Sequence, residues 1–411
     1  MRYFQTISVN RRAKALLEEH SEDATEFETD KMTRNWYQAC MNESRIEELG
    51  LSPLIRSLKN LGGWPVLNQT KDDFSSFQWF QQVRKLNREG HSIKTIMNHD
   101  IDVDNKNSSY MVFRLGQPNL GLHQKYLKNG FNDKKVKNYF QYMVDAAVLL
   151  GAKKSRAMHE LKKSLLFEIE VAKLLASRDE KRGPTKFFVP VSIKELDNDK
   201  FELKGASQSQ SWHHYIQGLL QDAAGFTKEK LKERNQSIDI NNNDMVIIRN
   251  PEYFVNVLKL INRTEPRAVA NYMGWRVVMS SISFLNKDAQ EIKRRYEKID
   301  GLRNGATARW KMCVESSGFN QYLYSNGAAA ASSMYIRRHF QKQDKDKVLE
   351  MVRYIRKSFE SMIDNTSWMD DETKIKAKKK LNNMKQIIGY VDELLDDGLM
   401  KNLHAGNWKI E

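Results

Sequence analysis

The chain has 411 residues, 67 Lys and Arg against 52 Asp and Glu, a formal net charge of +15, and 40% hydrophobic residues. That hydrophobic share excludes a disordered chain, and the length exceeds what one core usually holds, so two subdomains or a large layered helical lobe are expected. No run reaches the roughly 20 apolar residues of a membrane span; the nearest, "YMVDAAVLLGA", is broken by Asp145, and "MRYFQTISVNRR" at the start holds no signal-peptide core.

Taken in order, "VKNYFQYMVDAAVLLGA" and "SLLFEIEVAKLLAS" read as amphipathic helices, and "SYMVFRLGQP" and "DMVIIRN" as short strands. The stretch "SRDEKRGPTKFFVPVSIKELDND", with Pro184 and Pro190, is the strongest internal break, near 180–195. A helix starts on Pro266 with Thr264 as its expected cap. No proline follows Pro266, so the remainder can run in long helices. In "DKVLEMVRYIRKSFESMI", Val348, Val352, Ile355, Phe359 and Met362 form one apolar stripe at helical spacing. In "DDETKIKAKKKLNNMKQIIG", Asp370 is the expected N-cap, Ala377, Leu381, Met384 and Ile388 the stripe, and Gly389 the terminator. Most lysines there fall off the stripe, so the charge run reads as the wet face of a helix rather than a polyanion site. The expected fold is mainly α, a large multi-helix lobe with a few short strands.

Catalytic motifs are scarce. There is no G-x-x-x-x-G-K-[ST], G-x-G-x-x-G or G-x-S-x-G. "HELKK" at His159 places Lys163, a cation, where a zinc-binding helix needs its second histidine. His213 and His214 are adjacent and so point to different faces of a helix or strand. Basic residues are interleaved with carboxylates, with no nucleic-acid-binding motif, so no nucleic-acid partner is expected. Cys40 and Cys313 read from composition as two buried free thiols of a cytosolic protein, whereas six N-x-[ST] sequons, at Asn42, Asn68, Asn107, Asn235, Asn262 and Asn365, tilt towards a secretory origin.

Several segments carry a resemblance. "SWMDDETKIKAKKKLNNMKQIIGY" resembles the W-M-D-x-x-T-K-x-x-A-x-x-K segment, followed by I-G-Y, of the neprilysin-like zinc endopeptidases, the neprilysin and endothelin-converting enzyme type. "ACMNES", "GGWPVL", "QPNLGL", "NPEYF" and "NYMGWRVVM" resemble further segments of that family, in the family's order. The resemblance implies that residues 1–395 are the N-terminal helical lobe without zinc, and that 396–411 are a truncated connection towards a zinc-bearing catalytic lobe. Together the two lobes enclose a chamber whose cap limits which peptides enter. The family's H-E-x-x-H motif, its downstream glutamate ligand and its N-A-x-Y segment lie beyond the matching region. No cofactor is therefore expected in these residues, zinc is expected in the full-length enzyme, and the chain alone is expected to be inactive, because a water without a metal to lower its pKa is a poor nucleophile.

The resemblance also implies that Cys40 and Cys313 pair, that the sequons carry glycan, and that the protein is extracellular or a membrane-anchored ectodomain, held to a membrane only through an N-terminal anchor outside these residues. The implied partners are a peptide substrate and the catalytic lobe of the same protein. Arg2 and Tyr3 match a family Arg-Tyr pair whose Arg binds the substrate's C-terminal carboxylate, but Ile7 occupies the position of the family's accompanying Asp. The alternative is a free-standing, noncatalytic secreted helical protein that binds peptides or a partner. A lobe built to pack on another exposes an apolar face when alone, whereas a free-standing protein has polar residues there.

Overall fold

The computed structural model describes residues 2–19, 26–68, 74, 76–91, 93–104, 107, 109–176, 188–197, 201, 211–224, 239–299, 308–318 and 326–404. In chain order the main elements begin with α1 (Arg2–Glu18), α2 (Glu28–Met41), α3 (Ser52–Asn60) and α4 (Trp79–Arg88). Strands β1 (Asn98–Val103) and β2 (Met111–Gly116) precede α5 (Lys134–Leu149) and α6 (Lys154–Leu174). Then come β3 (Phe188–Ser192), α7 (Trp212–Ala224), β4 (Met245–Arg249), α8 (Pro251–Arg263), α9 (Pro266–Ser281) and α10 (Lys287–Ile299). The chain continues through α11 (Arg309–Ser316), α12 (Asn326–His339), α13 (Lys342–Asn365), α14 (Asp371–Asn383) and α15 (Asp397–His404). Among the described residues the fold is mainly α, with one small sheet. Two compact units divide it: the first is 1–42 with 307–411, and the second is 43–306.

In the second unit, α5, α6 and α9 pack together around Tyr139, Leu161, Leu165, Tyr272 and Trp275, each fully buried. α5 starts because Asp133 caps it, accepting from the Lys135 N–H. α8 starts at Asn250, a non-glycine residue at φ 62°, whose side chain accepts from the Tyr253 N–H, with Pro251 at the first helical position. The "GGWP" turn is locked onto α9: a Cβ at Gly274 would lie 2.3 Å from Trp64 Cδ1, so only glycine lets the indole seat there. Trp64 Nε1 donates to the Asn271 carbonyl, the Val66 N–H donates to Asn271 Oδ1, and Arg267 pairs with Glu160 while donating to the Pro65 carbonyl.

The sheet order is β1-β2-β4-β3. β1 and β2 form an antiparallel hairpin, β2 and β4 are parallel, and β3 runs antiparallel to β4. The stretch expected to be an internal break contributes β3, within the second unit. Pro190 is tolerated there because β3 is the last strand of the sheet, so its missing N–H breaks no inner ladder.

The first unit has two small cores. One gathers Leu16, Leu17, Tyr37, Cys40, Cys313, Val314 and Met334; the other gathers Ala329, Ile336, Tyr390, Leu394 and Met400. The structure joins Cys40 to Cys313 by a disulfide, with the Cα atoms 5.7 Å apart.

Three local expectations are corrected. Thr264 does not cap α9; its Oγ1 donates back to the Leu260 carbonyl and finishes α8, and Glu265 precedes α9 without a side-chain cap. α14 ends at Asn383, because Met384 turns extended, so Gly389 terminates nothing; its φ of +72° serves a turn against Phe340. The expected buried stripes are largely uncovered. On α13, Val348, Ile355, Phe359 and Met362 are exposed, and on and after α14 only Leu381 of its stripe is buried.

Candidate functional site

Among the described residues of the first unit, exposed large apolar side chains concentrate on α13 and α14, which pack on each other. Asp370 caps α14 as expected, its carboxylate accepting from the Thr373 N–H at 2.7 Å, and that hydrogen bond lowers its pKa. Ile363 and Leu381 point inward, at 3% and 5% exposure. Met351, Tyr354, Ile355, Phe359 and Met362 are 51 to 64% exposed, and Trp368, in the turn, reaches 79%. Two of the α14 lysines are paired, Lys376 with Glu372 and Lys378 with Asp364. Apolar side chains of this size are rarely left in water over so continuous a stretch.

A cleft of about 650 Å³ in the same unit lies among Phe27, Asp30, Arg34, Arg337, Arg338 and Tyr390. Several of its charges pair with one another. Arg337 donates to both oxygens of the buried Asp30 and stacks 3.8 Å over Phe27, and Arg34 pairs with Glu26. Burial pushes the Asp30 carboxyl up, and Arg337 opposes the shift. In the second unit, the fully buried Glu168 accepts from the Gly121 N–H at 2.6 Å and from Tyr139 O–H at 3.1 Å, and Trp275 Nε1 donates to Tyr139 Oη. Burial raises the pKa of both Glu168 and Tyr139. This network fastens "QPNLGL" to α5, α6 and α9, and Arg276 adds a bond to the Asn119 carbonyl.

The other sequence candidates are dispersed. His159 is exposed on α6, and Lys163 pairs with Glu265. His213 bonds the Ile240 carbonyl and His214 is exposed, so the two do not converge. Arg2 belongs to α1, but its side chain lies outside the described residues, as does Asn235. Asn42, Asn68, Asn107, Asn262 and Asn365 are all exposed. Among the described residues no three His, Cys, Asp or Glu side chains are arranged to hold a metal ion, so they do not fit a zinc site. Glu168 was invisible in "LLFEIEV", where nothing distinguishes it from a solvent-facing glutamate.

The Peptidase family M13 model matches residues 4–391. The chain belongs to peptidase family M13. Its relatives in that family include Neprilysin-2 of Drosophila melanogaster, 33% identical over 377 residues, covering 90% of this chain and 46% of the relative. Neprilysin of Mus musculus is 27% identical over 371 residues, covering 88% and 47%. Endothelin-converting enzyme 1 of Rattus norvegicus is 27% identical over 388 residues, covering 93% and 46%. The chain thus spans about half the length of the curated relatives it matches. The fold is similar to that of the zinc metalloprotease ZMP1 of Mycobacterium tuberculosis in its open state, with TM-score 0.67, 15% identity, and coverage of 98% of this chain and 57% of that one. It is also similar to PepO of Lactobacillus rhamnosis, with TM-score 0.67, 14% identity, and coverage of 97% and 59%. This M13 chain is therefore a neprilysin-like peptidase region.

Proposed function

We propose that this M13 chain is the substrate-gating, noncatalytic region of a neprilysin-like zinc endopeptidase that cleaves short peptides outside the cell or at its surface. Residues 1–395 form that region, and 396–411 lead towards the zinc-bearing part. The carrying observation is the uncovered stripe on α13, with Ile355 and Met362 each 64% exposed. A helix whose apolar face has the regular spacing of a core face, yet lies in water, is built to be covered. The occupant is the zinc-bearing region of the same polypeptide, in keeping with relatives about twice as long. A free-standing binding protein is disfavoured, since it would carry polar residues on this face. The H-E-x-x-H motif is absent from these residues, so peptide hydrolysis requires donors that the other region supplies.

The test is chelator-sensitive hydrolysis of a short fluorogenic peptide. The 411-residue chain is expected to give none, and a product that also contains an H-E-x-x-H region is expected to cleave. Placing Asp at both Ile355 and Phe359 is expected to abolish folding or activity of the longer product while leaving the shorter chain folded. Cleavage by the short chain, or a longer product indifferent to both substitutions, would overturn the proposal.

A further inference from the structure

Charge is unbalanced where the chain of the second unit enters α5. Residues 123–137, "HQKYLKNGFNDKKVK", carry lysines at 125, 128, 134, 135 and 137 and a single carboxylate, Asp133. That carboxylate is engaged in local structure: Oδ1 accepts from the Lys135 backbone N–H at 2.8 Å, and Oδ2 from Asn129 Nδ2 at 3.1 Å. Two half-buried rings gather the lysines. In the short helix Gln124–Leu127, the Tyr126 ring has Lys125 Nζ 4.6 Å and Lys135 Nζ 4.8 Å from its centroid. The two ammoniums therefore stand no more than about 10 Å apart, within one Debye length at 0.1 M salt, and they repel. Phe131 packs edge-on against Phe140 of α5 at 5.5 Å, and Lys162 of α6 lies 5.8 Å from its centroid. The rings attract these cations and so hold them together against their repulsion. Three elements thus deliver lysines to one surface.

Among the described residues, Lys125, Lys128, Lys134 and Lys162 are exposed and pair with no carboxylate. Lysines nearby on α6 differ: Lys163 pairs with Glu265, and Lys173 with Glu170. On α14 the charge run is also partly answered, by Glu372 and Asp364. A cluster of unanswered ammoniums raises the local concentration of anions. A small anion meets one or two of them, whereas an extended polyanion meets all. Both rings are half-buried and carry ammoniums, so no bare aromatic face is offered to a stacked base or an acyl chain. Lysine also lacks the planar fork that reads one phosphate or carboxylate bidentately. Repeated sulfate groups along a chain ask only for charge at intervals, which this surface supplies.

We propose that the surface built from Lys125, Lys135 and Lys162, flanked by Lys128 and Lys134, binds a polysulfated polysaccharide of the cell surface or matrix. The inference rests on the extracellular reading for its natural ligand.

The experiment titrates the 411-residue chain with a fluorescent heparin octasaccharide over a range of salt concentrations. Replacing Lys125, Lys135 and Lys162 together by Gln is expected to weaken binding about tenfold or more, and to flatten the dependence of log Kd on log salt by about two. Replacing the same three by Arg is expected to keep the parent's affinity and slope. Replacing Lys376, Lys379 and Lys380 by Gln removes equal charge from α14 and is expected to stay within about twofold of the parent, because distant charges are screened. Thermal melts of all three variants should match the parent's, which separates lost binding from lost folding. Equal weakening by the two Gln triples would assign binding to net charge and overturn the inference. So would a desulfated octasaccharide bound as tightly as the sulfated one, or tighter binding to duplex DNA or phosphatidylserine vesicles. An intracellular location of the natural protein would instead overturn the extracellular reading and leave the measured binding standing.

Discussion

His99 shows how one side chain makes stability depend on pH. It is largely buried between Phe113, stacked at 6.1 Å, and Tyr215, edge-on at 6.5 Å; Nε2 meets Asn87 Nδ2 at 3.2 Å, and Nδ1 is buried without a partner. Burial, reinforced by Lys94 and opposed by Asp100, depresses its pKa from 6.5 to about 4. A base whose folded pKa is depressed contributes stability above its unfolded pKa, and the contribution is lost as pH falls. The unfolded chain takes up a proton near pH 6.5, whereas the folded chain resists until about pH 4. The loss between those values should reach up to about 3 kcal/mol. Urea unfolding across that window should show the decline in the parent and a flatter curve for His99→Gln; parallel curves would refute the assignment. Gly274 gives a pH-independent counterpart. Ala there must displace the Trp64 ring, and overpacking at a buried contact costs roughly 1–3 kcal/mol. Thermal denaturation of Gly274→Ala should show the lowered midpoint, and an unchanged midpoint would mean that the ring has room to move.

Among the elements, α13 separates spacing from burial. Its 24 residues carry a regular apolar stripe, yet Ile363 is buried at 3% exposure while Phe359, one turn earlier, is 51% exposed. Truncation should follow burial. Ile363→Ala removes a packed side chain and should cost about 2–5 kcal/mol, whereas Phe359→Ala in the isolated chain should stay within about 0.5 kcal/mol. Hydrogen exchange in α13 and α14 distinguishes the two, and equal effects would show that the outer face is already covered. The same helix marks what could be read beforehand. Periodicity located α5, α6, α13 and α14, and the β-rich runs located β2 and β4. β1, "NHDIDV", was not legible because its aspartates and asparagine disfavour strand, and β3 was hidden by Pro190; pairing with neighbours decides both. Which side of a helix is covered depends on what lies beside it, and a stripe carries no record of its partner. Cys40, Cys313 and the sequons were legible as residue types, and the pairing came from the family resemblance.

For the whole molecule, chain connectivity determines what the disulfide does. The first unit is built from two segments, 1–42 and 307–411, and Cys40 lies near the end of one while Cys313 lies near the start of the other. Everything in the second unit falls inside the loop that the bond closes, a sequence separation of 273. Without the bond, α2 and α11 must find each other across that loop, and its closure entropy must be met by packing of the small core around Cys40, Leu17, Tyr37 and Val314. The chain-entropy relation gives roughly 5 kcal/mol as an upper figure for the lost stabilisation, reached when the loop, the second unit included, is unfolded. The second unit is one continuous segment with its own larger core, and the bond joins no part of it to another part. Paired Cys40→Ser and Cys313→Ser substitutions should therefore lower protection from hydrogen exchange in α1, α2, α11 and α12 by several kcal/mol, while α5, α6 and α9 keep theirs. A uniform loss across both sets of helices would mean that the two units unfold as one cooperative body. No loss in the first set would mean that its apolar core is sufficient without the bond.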